Sequence, residues 1–297
     1  MSGPIMVQSL EAVVEQAIAK NLFVRRRWSW VAETEEYFLK IPRESQLLAE
    51  DSKSSSTRAN ATYEHEALNL LSRACSAVVK PIGVAERYAC IVLPKIGGQD
   101  LRDVLMRGRS PIALTNVLSQ AIDILVAIHA FAPEGDGRLV PYKDYRSNPY
   151  LREMQQSMSA RRTLVTFGFE VRNLRVDEHG VLRFFDPHEL CFGYPEEDLT
   201  RFVLSLLMLT WGQLRYPKPW VGFSLTDLLD SYRSKSRALI DPARFQYCAG
   251  MNTEMRKAHS LNAIAEMQWL KKPVAMLYRS YFFRQVNEWW LQNDVQI

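Results

Sequence analysis

No metal-site spacing links the four cysteines of this 297-residue chain, Cys75, Cys90, Cys191 and Cys248. Their scatter excludes a zinc ribbon or a disulfide framework and predicts buried, reduced thiols. No apolar run is long enough to cross a bilayer. The longest, residues 202–211, falls short of the roughly 20 residues that a span needs. The first apolar residues are interrupted by Glu11, Glu15 and Lys20, which argues against a secretory signal. A soluble protein in a reducing, cytoplasmic setting is therefore expected. Nor is charge of one sign in large excess: Lys plus Arg number 37 and Asp plus Glu 33, a net of +4. That balance lacks the strongly basic signature of a nucleic-acid binder, yet it suits an anionic ligand such as a nucleotide. No internal repeat is present. The length and an ordinary apolar fraction of 47% fit one two-lobed unit or two domains.

What is present is concentrated in residues 164–199. Leu174-Arg175-Val176 and Val181-Leu182-Arg183-Phe184-Phe185 read as two short strands. The turn between them is Asp177-Glu178-His179-Gly180, with Gly180 free to take a positive φ. Asn173 precedes the first strand and Asp186 follows the second, thirteen positions on (186 − 173). A hairpin brings both to one end, and an amide oxygen beside a carboxylate suits one hard cation.

Elsewhere the periodicity predicts a helix over residues 10–23, strands over 23–30 and 36–41, and a Ser- and charge-rich loop over 43–62. A helix over 63–74 follows, with Ala67, Leu70, Leu71 and Ala74 on one face. Strands are expected over 78–84 and 88–93, and helices over 101–106 and 114–131. After the central hairpin come helices over 199–214 and 225–240, and residues 251–290 are mainly helical. His129 reads as a packed structural histidine. Tyr278, Tyr281, Phe282, Trp289 and Trp290 form an aromatic-rich stretch that either packs in the core or meets a partner or a membrane surface.

The placement of Asn173 and Asp186 resembles the metal-binding segments of the protein-kinase-like superfamily. The aminoglycoside phosphotransferase and lipopolysaccharide-kinase branches are the most similar, over about residues 22 to 205. In that family the loop Asn and the Asp after the next strand hold Mg²⁺ on the nucleotide phosphates. The resemblance implies those metal-binding roles for Asn173 and Asp186, with ATP and Mg²⁺ as cofactors. Gly193-Tyr194-Pro195-Glu196-Glu197-Asp198-Leu199 resembles the G-D-P-x-x-D-L run of the small-molecule kinases. Lys40, ending Tyr37-Phe38-Leu39-Lys40, matches the strand lysine that binds phosphates. Glu66 matches the helix glutamate that pairs with it, with Glu64 as the competing partner. Leu93-Pro94-Lys95 resembles the hinge that binds adenine. Pro94 has no N–H, so the backbone of Leu93 and Lys95 would serve.

Two departures stand out. The turn over the phosphates, within residues 29–35, contains no glycine, although Arg25, Arg26 and Arg27 lie nearby. The family's catalytic Asp, five residues before the Asn, is replaced by Gly168. Glu170 is then the nearest carboxylate for a general base. The long, Pro- and Gly-bearing interval 132–162 favours an acceptor site of the small-molecule or glycolipid kinds over a protein kinase.

The expected architecture is an α+β, bilobal protein-kinase-like fold. A small β-rich lobe spans residues 1–93 and a mostly helical lobe spans 94–297. The expected activity is ATP- and Mg²⁺-dependent phosphotransfer to a small molecule, sugar or glycolipid. The alternative is a pseudokinase that binds nucleotide, or no ligand at all, and acts through protein partners. Nucleotidyl transfer is a third chemistry open to kinase-like proteins without the Asp. No nucleic acid and no transmembrane segment are expected, whereas peripheral membrane contact is compatible with the sequence.

Overall fold

The computed structural model describes residues 9–26, 29–42, 57–107, 111–132, 140, 162–187, 189–211, 223–237 and 239–293. The interval 132–162, read above as an acceptor region, lies almost wholly outside these, as do Arg27, residues 43–56 and the stretch that follows residue 211. Elements are numbered in chain order among the described residues.

Five short antiparallel strands form the first lobe. They are β1 (Val24–Arg25), β2 (Ser29–Glu33), β3 (Tyr37–Pro42), β4 (Gly83–Ala85) and β5 (Cys90–Pro94), in spatial order β1-β2-β3-β5-β4. The sheet carries a helix on each face, and strand alternation decides which side chain meets which helix. Cys90 and Val92 of β5, with Leu39 of β3, pack against Val13, Val14 and Ala17 of α1 (Leu10–Ala19). The intervening Ile91 and Leu93, joined by Phe38, face the larger core shared with α2 (Thr57–Ala74). Lys40 is two positions from Phe38 and one from Leu39, so the pleat turns it toward α2.

Helix α2 begins at Thr57, six residues before the expected start. Its buried stripe includes Ala61, Glu64, Leu68 and Leu71, at spacings of three and four. Glu64 is therefore on the inward face, and Glu66, two positions on, is exposed. The expected strand over 78–84 shrinks to β4, with Val78 making a single bridge to Phe184.

The second lobe holds α3 (Leu101–Arg107), α4 (Pro111–Ala130), α5 (Pro195–Trp211), α6 (Leu225–Ser236), α7 (Pro242–Ala265) and α8 (Lys272–Gln292). A small ladder, β7 (Thr163–Val165) with β10 (Cys191–Gly193), brackets the central loop. The central hairpin is β8 (Leu174–Val176) and β9 (Leu182–Phe184). Asp177 builds its turn: Oδ1 accepts the amides of His179 and Val181, both at 2.9 Å, and Gly180 takes φ 76°. Strand β6 (Gln99–Asp100) pairs with β8, so the segment joining the lobes lies directly on the hairpin. The carbonyl and amide of Phe184 also bond Val79 and Ala77, at 2.9 and 3.0 Å, which fixes Asp186 relative to the sheet.

Gly98 makes that junction possible. Its φ of 83° is left-handed, and a Cβ there would fall 2.0 Å from the carbonyl oxygen of Val176. Gly98→Ala should lower stability by about 2 kcal/mol or more, through strain and backbone collision together. Urea unfolding of the two proteins checks this, with a matched Gly97→Ala control.

Candidate functional site

Lys40, Glu64 and Asp186 come from three separate elements and meet in a nearly dry space. The Nζ of Lys40 lies 2.7 Å from Oε1 of Glu64 and 2.6 Å from Oδ1 of Asp186. Only 12% of the Lys40 side chain and 10% of the Glu64 side chain are exposed, against 23% for Asp186. Burial alone would lower the pKa of Lys40, but the charges of Asp186 and Glu64 outweigh it and hold the ammonium above its ordinary value. Burial raises Glu64 above the usual carboxylate range, Lys40 opposes that, and Asp186 adds to it. The expected partner Glu66 is exposed on another face of α2, so the Lys40 pair is made by Glu64 instead. Tyr63 braces this arrangement by accepting the amide of Leu190 at 2.7 Å, beyond Asp186.

Asn173 closes a short 3-10 turn, its amide donating to the Glu170 carbonyl at 2.9 Å. Its Nδ2 donates to the carbonyls of Gly168 at 2.7 Å and Asp186 at 3.1 Å. Two carbonyl partners can be met only by the NH₂ end, which fixes the amide's orientation. The side-chain amide of Asn173 thus stands beside the Asp186 segment. An amide oxygen and a carboxylate brought to one hairpin end are hard donors of the kind Mg²⁺ takes.

The loop before Asn173 is held from below by α5. This helix starts at Pro195, and Glu197 Oε1 accepts the amide of Tyr194 at 3.1 Å in a capping arrangement. One turn in, the fully buried Asp198 accepts the amides of Thr166 at 2.8 Å and Phe167 at 3.0 Å. His129 Nε2 lies 3.4 Å from the same carboxylate, and His129 Nδ1 lies 2.8 Å from the Tyr232 hydroxyl. His129 is thus the packed, hydrogen-bonded residue expected. Asp198 holds Phe167 at φ 46°, a left-handed conformation costly for a bulky residue. Gly168 itself does not take a positive φ.

Glu170 does not offer a free carboxylate. It is 2% exposed, with Oε1 at 2.6 Å from Arg256 and 3.5 Å from Arg201, and Oε2 at 2.9 Å from Arg172. Burial pushes its pKa up, but Arg256, Arg172 and Arg201 overcome this and hold it down at about 2. So weak a base, fixed by three guanidinium groups, is poorly suited to taking a proton from an acceptor hydroxyl. The hinge differs from expectation as well. The Lys95 amide donates to the Glu36 carbonyl at 2.8 Å, so it is already engaged, and Leu93 is 1% exposed with its backbone in the β3–β5 ladder. The glycine-free turn between β2 and β3 is closed by Thr34, whose Oγ1 accepts the Tyr37 amide at 2.9 Å. Sequence reasoning missed the clamp formed by Asp198 and the arginines around Glu170. The recurring aspartate of the G-x-P-x-x-D-L run could have signalled the former.

No family model matches the chain, and no curated protein matches it in sequence. Solved structures do match it in shape. The choline kinase LicA from Streptococcus pneumoniae is similar with a TM-score of 0.55 at 14% identity, over 94% of this chain and 98% of that one. A choline/ethanolamine kinase family protein from Mesorhizobium loti gives 0.57 at 13% identity, over 90% of this chain and 87% of that one. The ADP-bound aminoglycoside phosphotransferase APH(2'')-Ib gives 0.54 at 12% identity, over 92% and 97%. The fold is that of the protein-kinase-like superfamily, with a small antiparallel sheet lobe and a helical lobe. Among the described residues, no helix is long and apolar enough to cross a membrane.

Removing the Glu170 charge should be felt as lost stability, with a definite pH signature. Its folded pKa, about 2, lies below the ordinary 4.5. The stabilisation is therefore present above about pH 4.5 and is lost as pH falls toward 2. Glu170→Gln should cost about 3 kcal/mol near neutrality. The difference from wild type should shrink on acidification through that window, as read by denaturant unfolding at a series of pH values.

Proposed function

We propose that the chain is an ATP- and Mg²⁺-dependent phosphotransferase acting on a hydroxyl of a small molecule, sugar or glycolipid. The observation that carries this reading is the convergence of Lys40, Glu64, Asp186 and Asn173. On this reading Lys40, steadied by Glu64, presents its ammonium to the nucleotide phosphates. Asn173 and Asp186 hold the Mg²⁺, which would supply charge neutralisation on the phosphoryl oxygens. On this reading the adenine lies beside the segment from Leu93 to Lys95 without using the Lys95 amide, which Glu36 already holds, and the two lobes divide at about residues 93 and 94. A fold shared with a choline kinase, with APH(2'')-Ib bound to ADP, and with APH(2")-IIa in a streptomycin–ATP complex supports a nucleotide and a small acceptor. Four free cysteines suit a reducing cytoplasm.

Glu170 then acts through position. With Arg201 and Arg256 it ties the loop at residues 166–173 to α5 and α7, and leaves Asn173 aimed at the metal. Gly168 supplies no base. Positioning and electrostatics carry most of phosphoryl transfer, and losing a general base costs roughly 10²–10⁴-fold. The expected enzyme is consequently slow.

A second reading, a nucleotide-binding pseudokinase working through a protein partner, is favoured by one observation. The turn over the cleft carries Glu33, Glu35 and Glu36, all exposed, where the phosphates would prefer bare amides. Titration calorimetry with ATP and Mg²⁺, followed by transfer of labelled phosphate to a panel of aminoglycosides, choline and sugars, separates the two. Binding with slow transfer is expected, and binding without transfer is the pseudokinase outcome. Lys40→Ala should abolish measurable binding while the fold persists. Gly168→Asp should raise turnover by about tenfold or more, because it restores a carboxylate at a position whose backbone tolerates a side chain. Wild-type protein that binds neither ATP nor Mg²⁺ would overturn both readings.

A further inference from the structure

The outer face of the C-terminal helix has no part in the site described above. From the 3-10 turn Trp269–Lys271 into α8, large apolar side chains stand in water. Trp269 is 76% exposed, Leu270 69%, Val274 60%, Leu277 74% and Tyr281 46%. Val274, Leu277 and Tyr281 follow spacings of three and four along the helix, so they form one stripe, with Trp269 and Leu270 exposed in the turn just before it. The opposite side of the helix is filled: Phe282, Phe283, Val286 and Trp290 are buried in the main core. Core packing thus accounts for one face of α8, while among the described residues the other face stays exposed, and an exposed apolar stripe marks an interaction surface.

The charges around the stripe identify what it fits. Between Met267 and Asn287 there is no Asp or Glu, whereas Lys271, Lys272, Arg279 and Arg284 all fall there. The flanking acids are Glu266 and Glu288, and the latter lies 3.8 Å from Arg284. Arg279 is turned inward, donating from Nε to Ser260 Oγ at 2.8 Å. Lys271 is exposed at the end that carries Trp269 and Leu270, and Arg284, 67% exposed, lies further along. An exposed Trp and Leu pair beside lysines, on a helix with one polar-rimmed apolar stripe, matches the amphipathic elements that lie in a membrane interface.

We propose that the outer face of residues 269–281 docks on an anionic lipid surface. The apolar side chains enter the headgroup–acyl boundary, and Lys271 and Arg284 meet the lipid phosphates. Among the described residues no helix is long and apolar enough to cross the bilayer. The proposal is independent of the phosphotransfer reading and can fail or hold without it.

The test is flotation of the full chain with vesicles, either pure phosphatidylcholine or containing about a third phosphatidylglycerol. The expected result is binding to the anionic vesicles alone. It should weaken as salt is raised, since exposed charges are screened beyond about 10 Å at 0.1 M. The double variant Trp269→Glu/Leu277→Glu should reduce the bound fraction about tenfold or more, because charge is placed in the apolar stripe. Lys271→Ser/Arg284→Ser should weaken binding at low salt. All four positions lie at the surface, and unchanged thermal melting would show that the variants are folded. Wild type that stays unbound to anionic vesicles, or double-glutamate protein that floats equally well, would overturn the proposal. So would a wild-type dimer in light scattering that the double-glutamate variant dissociates, since a second copy would then be the occupant.

Discussion

An ammonium held between two carboxylates ties the sheet, α2 and the central hairpin together. Lys40, Glu64 and Asp186 come from β3, from α2 and from the chain just after β9, so none of these can shift without separating buried opposite charges. Taking one of three such charges away strands the others, which costs about 3–5 kcal/mol in comparable buried pairs. The cluster also carries one negative charge more than positive. Burial is the main reason that Glu64 rises above its ordinary range despite a lysine at 2.7 Å, and the charge of Asp186 adds to it. A site with this balance is improved by added positive charge, and it presents hard oxygen atoms to receive it.

Behind that cluster stands a second, wholly protein-internal one. Asp198 takes two loop amides and a histidine, and Glu170 takes three arginines. Together they pin the segment that carries Phe167, Gly168 and Asn173 to α5 and α7. The left-handed Phe167 persists because the Asp198 bonds over-determine it. Rigid support of this kind serves a loop whose side chains must present fixed geometry. It remains in place although the carboxylate expected at position 168 is missing. On the proposed reading loop support and base are separable parts, and Gly168 leaves only the first in place.

The hairpin was legible because its signals are local. Asp177 and Gly180 dictate the turn, and the turn fixes where Asn173 and Asp186 emerge. Lys40 was legible only through the resemblance of its strand to the phosphate-binding strand of the kinase-like family. Glu66 was misassigned because Glu64, not Glu66, lies on the buried stripe with Ala61, Leu68 and Leu71, and a two-residue error rotates a helical side chain by more than half a turn. The surroundings of Glu170 were invisible, since Arg256 lies 86 positions away and reaches it only through tertiary packing. The same distance effect hid the use of the Lys95 amide by Glu36.

What covers the cleft bears on how strongly the cation matters. A glycine-rich turn offers phosphates a row of bare amides at no charge cost. Here Thr34 closes the turn and Glu33, Glu35 and Glu36 surround it. Glu33 is partly offset by Arg175 at 3.5 Å, and Glu35 and Glu36 are exposed. On the proposed reading, a triphosphate would approach net negative charge from the turn above and from the Lys40 cluster below. Attraction would then rest on Lys40 and on whatever cation Asn173 and Asp186 hold. Two carboxylates and a triphosphate repel one another at close range in a site of low dielectric. Nucleotide and divalent cation would therefore enter as one unit, each binding poorly without the other.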